Sequence, residues 1–301
     1  MIAPVLPTPY DGSSRLFQIG TRPLDPADWL EPDGAMAAQL AEKALLQREH
    51  GAEIFAETTA SRPAQAELLA LLADYLPERF PDLWRREGTG LHVVPTGETV
   101  ALAGDAPPLS IAAALVQDDL LLLERGAEGW LLSAGSLAFP SSWVLGEKIG
   151  KALDAIHAPV PGFGPGTRQA QIMARMFDAM RVETPMIRWN FSLYGDQRLF
   201  RPDSLGPDMR RFGAGERADP VFLRVERQTL RKLPQTGAIA FSIRISLDSL
   251  ETLAGHPEAG PIAASLAEQI AALTPEQLDY KGLTLEKDRV LARLAELSQF
   301  R

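Results

Sequence analysis

The chain has 301 residues and no cysteine, which excludes disulfides, thiolate zinc sites, cysteine-held iron–sulfur clusters, haem thiolates and cysteine nucleophiles. Its net charge of −9 argues against a general nucleic-acid binder, because neutralising phosphates takes a basic surface. No apolar run reaches the ~18–20 residues of a membrane span. The start, Met1-Ile2-Ala3-Pro4-Val5, lacks the basic flank and apolar core of a signal peptide, so a cytoplasmic location is expected.

In chain order, the first ninety or so residues read as an irregular entry followed by helices. Asp25-Pro26-Ala27-Asp28 opens with a cap-like Asp and a Pro at the first helical position. Met36 to His50 carries apolar residues at helical spacing and stops at Gly51; Pro63 to Leu76 is a second helix with a broad leucine face. Leu120–Glu124 and Gly129–Phe139 are expected to pair as strands around Arg125-Gly126-Ala127-Glu128. Val144 to His157 is expected to be one helix, with Leu145, Ile149, Leu153 and Ile156 along one side, ended by Pro159 and Pro161. Thr167 to Arg181 is another.

Three strands follow. Ile187, Trp189, Phe191 and Leu193 share one face, with Arg188, Asn190, Ser192 and Tyr194 on the other. Val221–Arg231 and Ala238–Leu247 flank the hairpin signal Pro234-Gln235-Thr236-Gly237. Their apolar positions are all odd-numbered, and a three-residue turn would keep these on one face with Arg227 opposite Ile243. From about Asp248 the tail is helical. Helices, a mostly antiparallel sheet and helices again imply an α+β fold in a single domain spanning residues 1–301. Its parts are a helical portion (1–90), a sheet portion (91–247) and C-terminal helices (248–301).

The charge is uneven. Between Arg168 and Arg244 stand 14 basic and 8 acidic residues, 13 of the basic ones arginine. This is either a solvated face with ordinary ion pairs or a site for an anionic ligand or acidic protein. Of the four histidines, His50 and His256 read as caps or surface residues, and His92 as a strand residue. His157 ends an amphipathic segment beside the rigid turn Pro159-Val160-Pro161-Gly162. Residue chemistry alone leaves it either a histidine at a helix C-terminus, the favoured reading, or a haem ligand on a stiff element. Gly162-Phe163-Gly164-Pro165-Gly166-Thr167 reads as a structural turn, not a phosphate loop, because Pro165 breaks the pattern. In Leu223-Arg224-Val225-Glu226-Arg227 the face begun by Leu223 and Val225 turns to Arg227, which needs water, a partner or a ligand.

Three segments carry a resemblance: Phe139-Pro140-Ser141-Ser142-Trp143, Ile156-His157-Ala158-Pro159-Val160-Pro161-Gly162 and Arg224-Val225-Glu226-Arg227-Gln228-Thr229-Leu230. They resemble the haem subunit of haem-dependent oxidative N-demethylase and its relatives, and the likeness runs from roughly Phe17 to Leu294. The resemblance implies a PAS-like antiparallel sheet with helices cradling a b-type haem, and it puts the axial ligand at His157. It implies oxidation of a small secondary amine with O2. NADPH electrons would arrive through a partner subunit carrying FMN and [2Fe–2S], and tetrahydrofolate on another subunit would take up formaldehyde. On this reading Arg227 or Arg224 stabilises charge developing on oxygen. Glu226 holds the ammonium or accepts its proton, and Arg188 and Tyr194 line the cofactor pocket. The rival is a haem-based gas or redox sensor without turnover, since fold does not fix function; no output segment is recognisable in the chain.

Overall fold

The computed structural model describes residues 8–127, 129–203 and 209–299. A short strand β1 (Arg22–Pro23) leads to helices α1 (Met36–Glu49) and α2 (Gly51–Ile54), strand β2 (Phe55–Glu57) and helix α3 (Arg62–Arg79). Strands β3 (Trp84–Glu87), β4 (Gly90–Val93) and β5 (Glu98–Ala101) form a small sheet, and α4 (Pro108–Leu115) follows. Next come the hairpin β6 (Asp119–Gly126) and β7 (Gly129–Ser136), the single turn α5 (Leu153–Ile156) and α6 (Arg168–Ala179). Strands β8 (Met186–Tyr194), β9 (Phe222–Lys232) and β10 (Ile239–Ser249) precede α7 (Leu250–Ala254), α8 (Ala259–Ala271), α9 (Pro275–Tyr280) and α10 (Lys287–Leu297). The result is α+β. A seven-stranded sheet in the order β1-β8-β9-β10-β6-β7-β2 is antiparallel at every pairing and flanked by helices. No helix among the described residues is long and apolar enough to cross a membrane.

The local signals work as their chemistry requires. Asp25 accepts a hydrogen bond from Ala27 N, and Thr167 caps α6 by accepting from Ala170 N. Gly51 does not end the helical stretch; it opens α2, which continues to Ile54. His92 lies on strand β4, as the sequence suggests, but its partners β3 and β5 and the helix α4 carry no such signal. Only Trp84 of β3 is buried, so that strand shows no alternation, and α4 is apolar nearly all round, so it shows no stripe. The turn expected between β6 and β7 includes Glu128, which lies outside the described residues.

Two cores share one side of the sheet. Leu68, Leu72 and Leu76 of α3 pack with Leu120, Leu122 and Ala240. Leu266 and Leu294 of the C-terminal helices pack with Phe191, Leu223 and Val225. Truncating any one of these fully buried leucines to Ala costs about 2–5 kcal/mol. The opposite side carries Leu121, Leu123, Ile243 and Ile245 under Phe177 of α6, with Leu153 and Ile156 of α5 packed against them. We call these the helix face and the histidine face.

Two expectations are corrected. The stretch 144–157 is not one helix. Gly150 takes a left-handed φ of 76°, and the chain there pairs with β7 through Gly150 N to Leu132 O and Leu132 N to Lys151 O; Leu145–Glu147 makes a single 3-10 turn and only α5 is α-helical. The β9–β10 register also differs. Leu233 N bonds Ala238 O across a four-residue loop, so Gln228, not Arg227, stands opposite Ile243. One residue of register exchanges the faces: Arg224, Glu226 and Gln228 lie on the histidine face and Arg227 on the helix face.

Candidate active site

Pairing of β8 with β9 sets three polar pairs side by side on the histidine face: Arg188 with Gln228, Asn190 with Glu226, and Ser192 with Arg224. Glu226 is buried at their centre. It accepts from Ser141 Oγ at 2.6 Å, Gln228 Nε2 at 2.7 Å and Asn190 Nδ2 at 3.2 Å. Burial alone would raise its pKa, but the Ser141 bond, the Arg224 charge, the Asn190 bond and the Lys281 charge outweigh it and hold the carboxyl below its ordinary value. Glu226 is therefore ionised at neutral pH.

Arg224, fully buried, is engaged by the protein itself. It donates to Ser141 Oγ at 3.0 Å, Phe139 O at 2.7 Å and Leu199 O at 3.1 Å. Asp119 fixes the same segment from below, accepting from Ala138 N and Phe139 N at 2.8 and 2.9 Å. The segment so pinned delivers Ser141 to Glu226 and places Ser142, at a left-handed φ of 63°, with Oγ 3.4 Å from Tyr194 Oη. The buried Tyr194 ring lies beneath three guanidinium groups, those of Arg201, Arg211 and Arg224, at 4.3, 4.7 and 5.8 Å.

Lys281 is a member of this site that the sequence did not suggest. It follows α9, whose start carries a full capping box at Thr274 and Gln277. Its ammonium reaches Phe191 O at 2.8 Å, Ser192 Oγ at 3.1 Å and Asn190 Oδ1 at 3.2 Å. Burial lowers its pKa to about 8 despite the opposing Glu226 charge, with Arg188 and Arg211 adding to the fall. Arg211 donates to Leu193 O at 2.9 Å, so two cations cover carbonyls along the outer edge of β8. Gly282 beside them takes a left-handed φ of 63°, which favours glycine, and the Arg211 guanidinium uses the space left by the missing Cβ. In sequence, Lys281-Gly282 looks like any basic residue and glycine at a helix end.

His157 caps α5 and is half-buried. Its Nδ1 lies 2.7 Å from Leu153 O, which selects the Nδ1–H tautomer and leaves the Nε2 lone pair without a partner among the described residues. Burial, with the Arg188 and Lys148 charges, depresses the imidazole pKa against the opposing Leu153 bond and Asp154 charge. The ring is neutral, and its second nitrogen is oriented by a backbone carbonyl, as a metal-ligating imidazole requires. Half-buried apolar side chains of the same cluster, among them Trp143, Ile156, Met176, Met186 and Phe241, offer a surface for a flat apolar ligand.

Arg188 lies near enough to act on His157. It donates to Gln228 Oε1 at 2.9 Å and Gln18 O at 3.2 Å, while its Nε is sealed from solvent with no acceptor among the described residues. This donor set fits a haem. No group of three or more His, Asp or Glu side chains able to hold a bare metal ion occurs among the described residues, whereas a haem needs from the protein one axial nitrogen and an apolar bed.

Arg227 is elsewhere. The expectation that its guanidinium enters the cleft is corrected by the register: it lies on the helix face, donating to Trp29 O at 2.9 Å and Asp28 O at 2.5 Å and pairing with Glu31 at 2.9 Å. The other histidines have local partners. His50 meets Glu53, His92 meets Thr99, and His256 accepts from Glu258 N.

A family model described as haem-dependent oxidative N-demethylase, alpha subunit-like, matches residues 20–291. The chain belongs to this family. The stretch matched to the haem-dependent oxidative N-demethylase family contains His157, Arg188, Tyr194, Arg224, Glu226 and Lys281, so the residues converging on the histidine face all lie within it.

Proposed function

We propose that the chain is the haem-bearing, catalytic subunit of an oxidative N-demethylase, with a b-type haem on His157 against a PAS-like sheet. Its reaction would convert a small secondary amine, O2, two electrons and two protons into the shorter amine, formaldehyde and water. The haem, when bound, supplies the oxidation of the amine by O2. NADPH electrons would come through a partner subunit with FMN and [2Fe–2S], since a chain without cysteine cannot hold such a cluster by thiolates. A tetrahydrofolate-binding subunit would receive the formaldehyde.

The observation that carries this reading is the neutral His157, tied through Nδ1 to Leu153 O with Nε2 left over, close to Arg188 in the polar row that contains Glu226. Within that row the residues divide the labour. A carboxylate has about four acceptor positions; Glu226 fills one on Oε1 and two on Oε2, leaving one on Oε1 for an amine N–H. Ionised and buried, Glu226 is the group to orient the amine and take its proton. Arg224, engaged by backbone carbonyls, acts at a distance: it keeps Glu226 charged and fixes Ser141. Tyr194 backs Arg224 and positions Ser142. Arg227 holds the N-terminal segment to the sheet and takes no part in the chemistry.

The test is the visible spectrum of the haem-reconstituted protein before and after reduction, with formaldehyde release from dimethylamine under supplied electrons. A Soret band that moves on reduction and is lost in His157→Ala is expected. A spectrum unchanged in His157→Ala would overturn the ligand assignment, and a spectrally intact haem with no formaldehyde would overturn the demethylase reading.

A further inference from the structure

We infer that Arg188 is the docking point for a carboxylate carried by a molecule bound on the histidine face. Most buried arginines among the described residues have an acid: Arg201 has Asp196, Arg227 has Glu31, Arg244 has Asp33 and Arg293 has Glu251, as does half-buried Arg289 with Glu286; Arg188 is half-buried too. Arg224 is surrounded by carbonyl oxygens. Among the described residues Arg211 and Arg231 have no acid at ion-pair distance, but each lies over an aromatic ring, Tyr194 at 4.7 Å and Trp29 at 4.5 Å, which offsets part of the desolvation. Arg188 has neither. Its two acceptors are neutral amide oxygens, no carboxylate comes within ion-pair distance among the described residues, and Nε is sealed and unpaired. The acid whose charge acts on it, Glu226, lies beyond ion-pair distance and is shared with Arg224 and Lys281.

The polar row therefore holds more cations than anions, with Arg188, Arg224 and Lys281 against Glu226. A guanidinium carries five N–H donors in a planar fork, and with only two of them spent on neutral oxygens Arg188 keeps donors on Nη1 and Nη2 for one carboxylate. Because Arg188 and the α5 turn that ends in His157 share the histidine face, where Ile156 and Met186 belong to one cluster, that carboxylate would lie at the margin of whatever occupies Nε2. Two sources carry this chemistry: a porphyrin propionate, or a small substrate bearing a carboxylate beside its amine, such as an N-methylated amino acid. The inference rests on the haem reading for the identity of the larger ligand only; the unpaired guanidinium stands without it.

The experiment compares wild-type protein with Arg188→Gln and with Arg188→Lys, which keeps the charge and loses the fork. Haem and metal-free protoporphyrin IX are titrated as free acids and as dimethyl esters. N-methylglycine and dimethylamine are then added to the haem-loaded proteins while the Soret band is followed. A propionate on Arg188 gives a wild-type preference of about ten-fold or more for the free acids, abolished in Arg188→Gln and partly kept in Arg188→Lys. A small-molecule carboxylate gives no ester effect; instead N-methylglycine perturbs wild-type protein at concentrations at least ten-fold lower than Arg188→Gln, while dimethylamine treats the two alike. If no carboxylate distinguishes wild type from Arg188→Gln, the inference is overturned. Metal-free porphyrin needs no axial ligand, so a failure of His157 ligation would show separately, as equal haem binding by wild type and His157→Ala.

Discussion

Lys281 and Glu226 are joined through a single amide: Asn190 accepts from Lys281 Nζ through Oδ1 and donates to Glu226 Oε2 through Nδ2, both at 3.2 Å. The ammonium thus decides which way the amide faces, and the amide then presents a donor to the carboxylate. Helix α9, on the far side of the β8 edge, takes part in setting the charge of the proposed proton acceptor.

Lys281→Met should therefore act at a distance. Losing the cation and freeing Asn190 raises the Glu226 pKa, so the acid limb of amine oxidation should move to higher pH, with kcat affected more than haem affinity. Stability supplies a second readout. The folded lysine pKa is depressed to about 8 from 10.5, so above pH 8 the unfolded chain binds more protons and stability from this group rises with pH, by at most ~3 kcal/mol up to its unfolded value. Chemical denaturation across that window should show the rise in wild type and a flatter profile in Lys281→Met.

The two sides of β8 were legible because Ile187 to Tyr194 alternates cleanly and its polar members line one face. Strand β9 was not. Every residue from Phe222 to Leu230 is buried, with charges on both faces, so alternation carries no sign of which face is which. The deciding feature is the loop, whose four residues are set by a distant carboxylate: Glu67 of α3 accepts from Gln235 N at 2.6 Å and Thr236 N at 2.8 Å. No local pattern announces that contact. Lys281 was hidden for the same reason, since its partners are some ninety residues away. His157 was picked out by family resemblance; its local residues favoured a helix-end histidine, and it does sit at the end of α5.

Arg227→Met and Arg224→Met should separate structure from chemistry. The first leaves Trp29 O, Asp28 O and Glu31 without their donor, which should cost about 2–4 kcal/mol and lower the denaturation midpoint while porphyrin affinity and the pH profile stay put. The second strips Phe139 O and Leu199 O and removes the cation that acts most strongly on Glu226. It should cost a similar amount and also shift the acid limb upward. Denaturant titrations beside pH–rate profiles decide between them, and equal profiles for the two variants would contradict the division of roles.

The protein alone should not consume NADPH. With no cysteine it has no thiolate-held iron–sulfur relay, so nicotinamide oxidation should require an added flavin and iron–sulfur reductase, while a chemical reductant should reduce the haem directly. Sustained NADPH consumption by the purified, haem-loaded chain would reveal an electron entry within it.

His157→Ala, set against His50→Ala, His92→Ala and His256→Ala, tests the centre of the assignment. The last three remove side chains bonded to Glu53, Thr99 and the Glu258 amide, contacts at exposed positions, so each should leave stability within about 0.5 kcal/mol and haem stoichiometry unchanged. His157 differs in that one nitrogen is fixed by Leu153 O and the other is held ready. Its loss opens a gap beside half-buried Leu153 and Ile156, which the apolar bed tolerates better than the iron tolerates a missing axial nitrogen. Haem should then be weakly held and lack the wild-type reduced spectrum, while the far-ultraviolet circular dichroism stays native because α5 is a single turn. Imidazole added from solution should restore part of the wild-type spectrum, since it replaces the missing ligand without a tether. Spectral recovery by imidazole in His157→Ala, and none in the other three, is the outcome expected; a wild-type spectrum in His157→Ala without imidazole would place the axial ligand elsewhere.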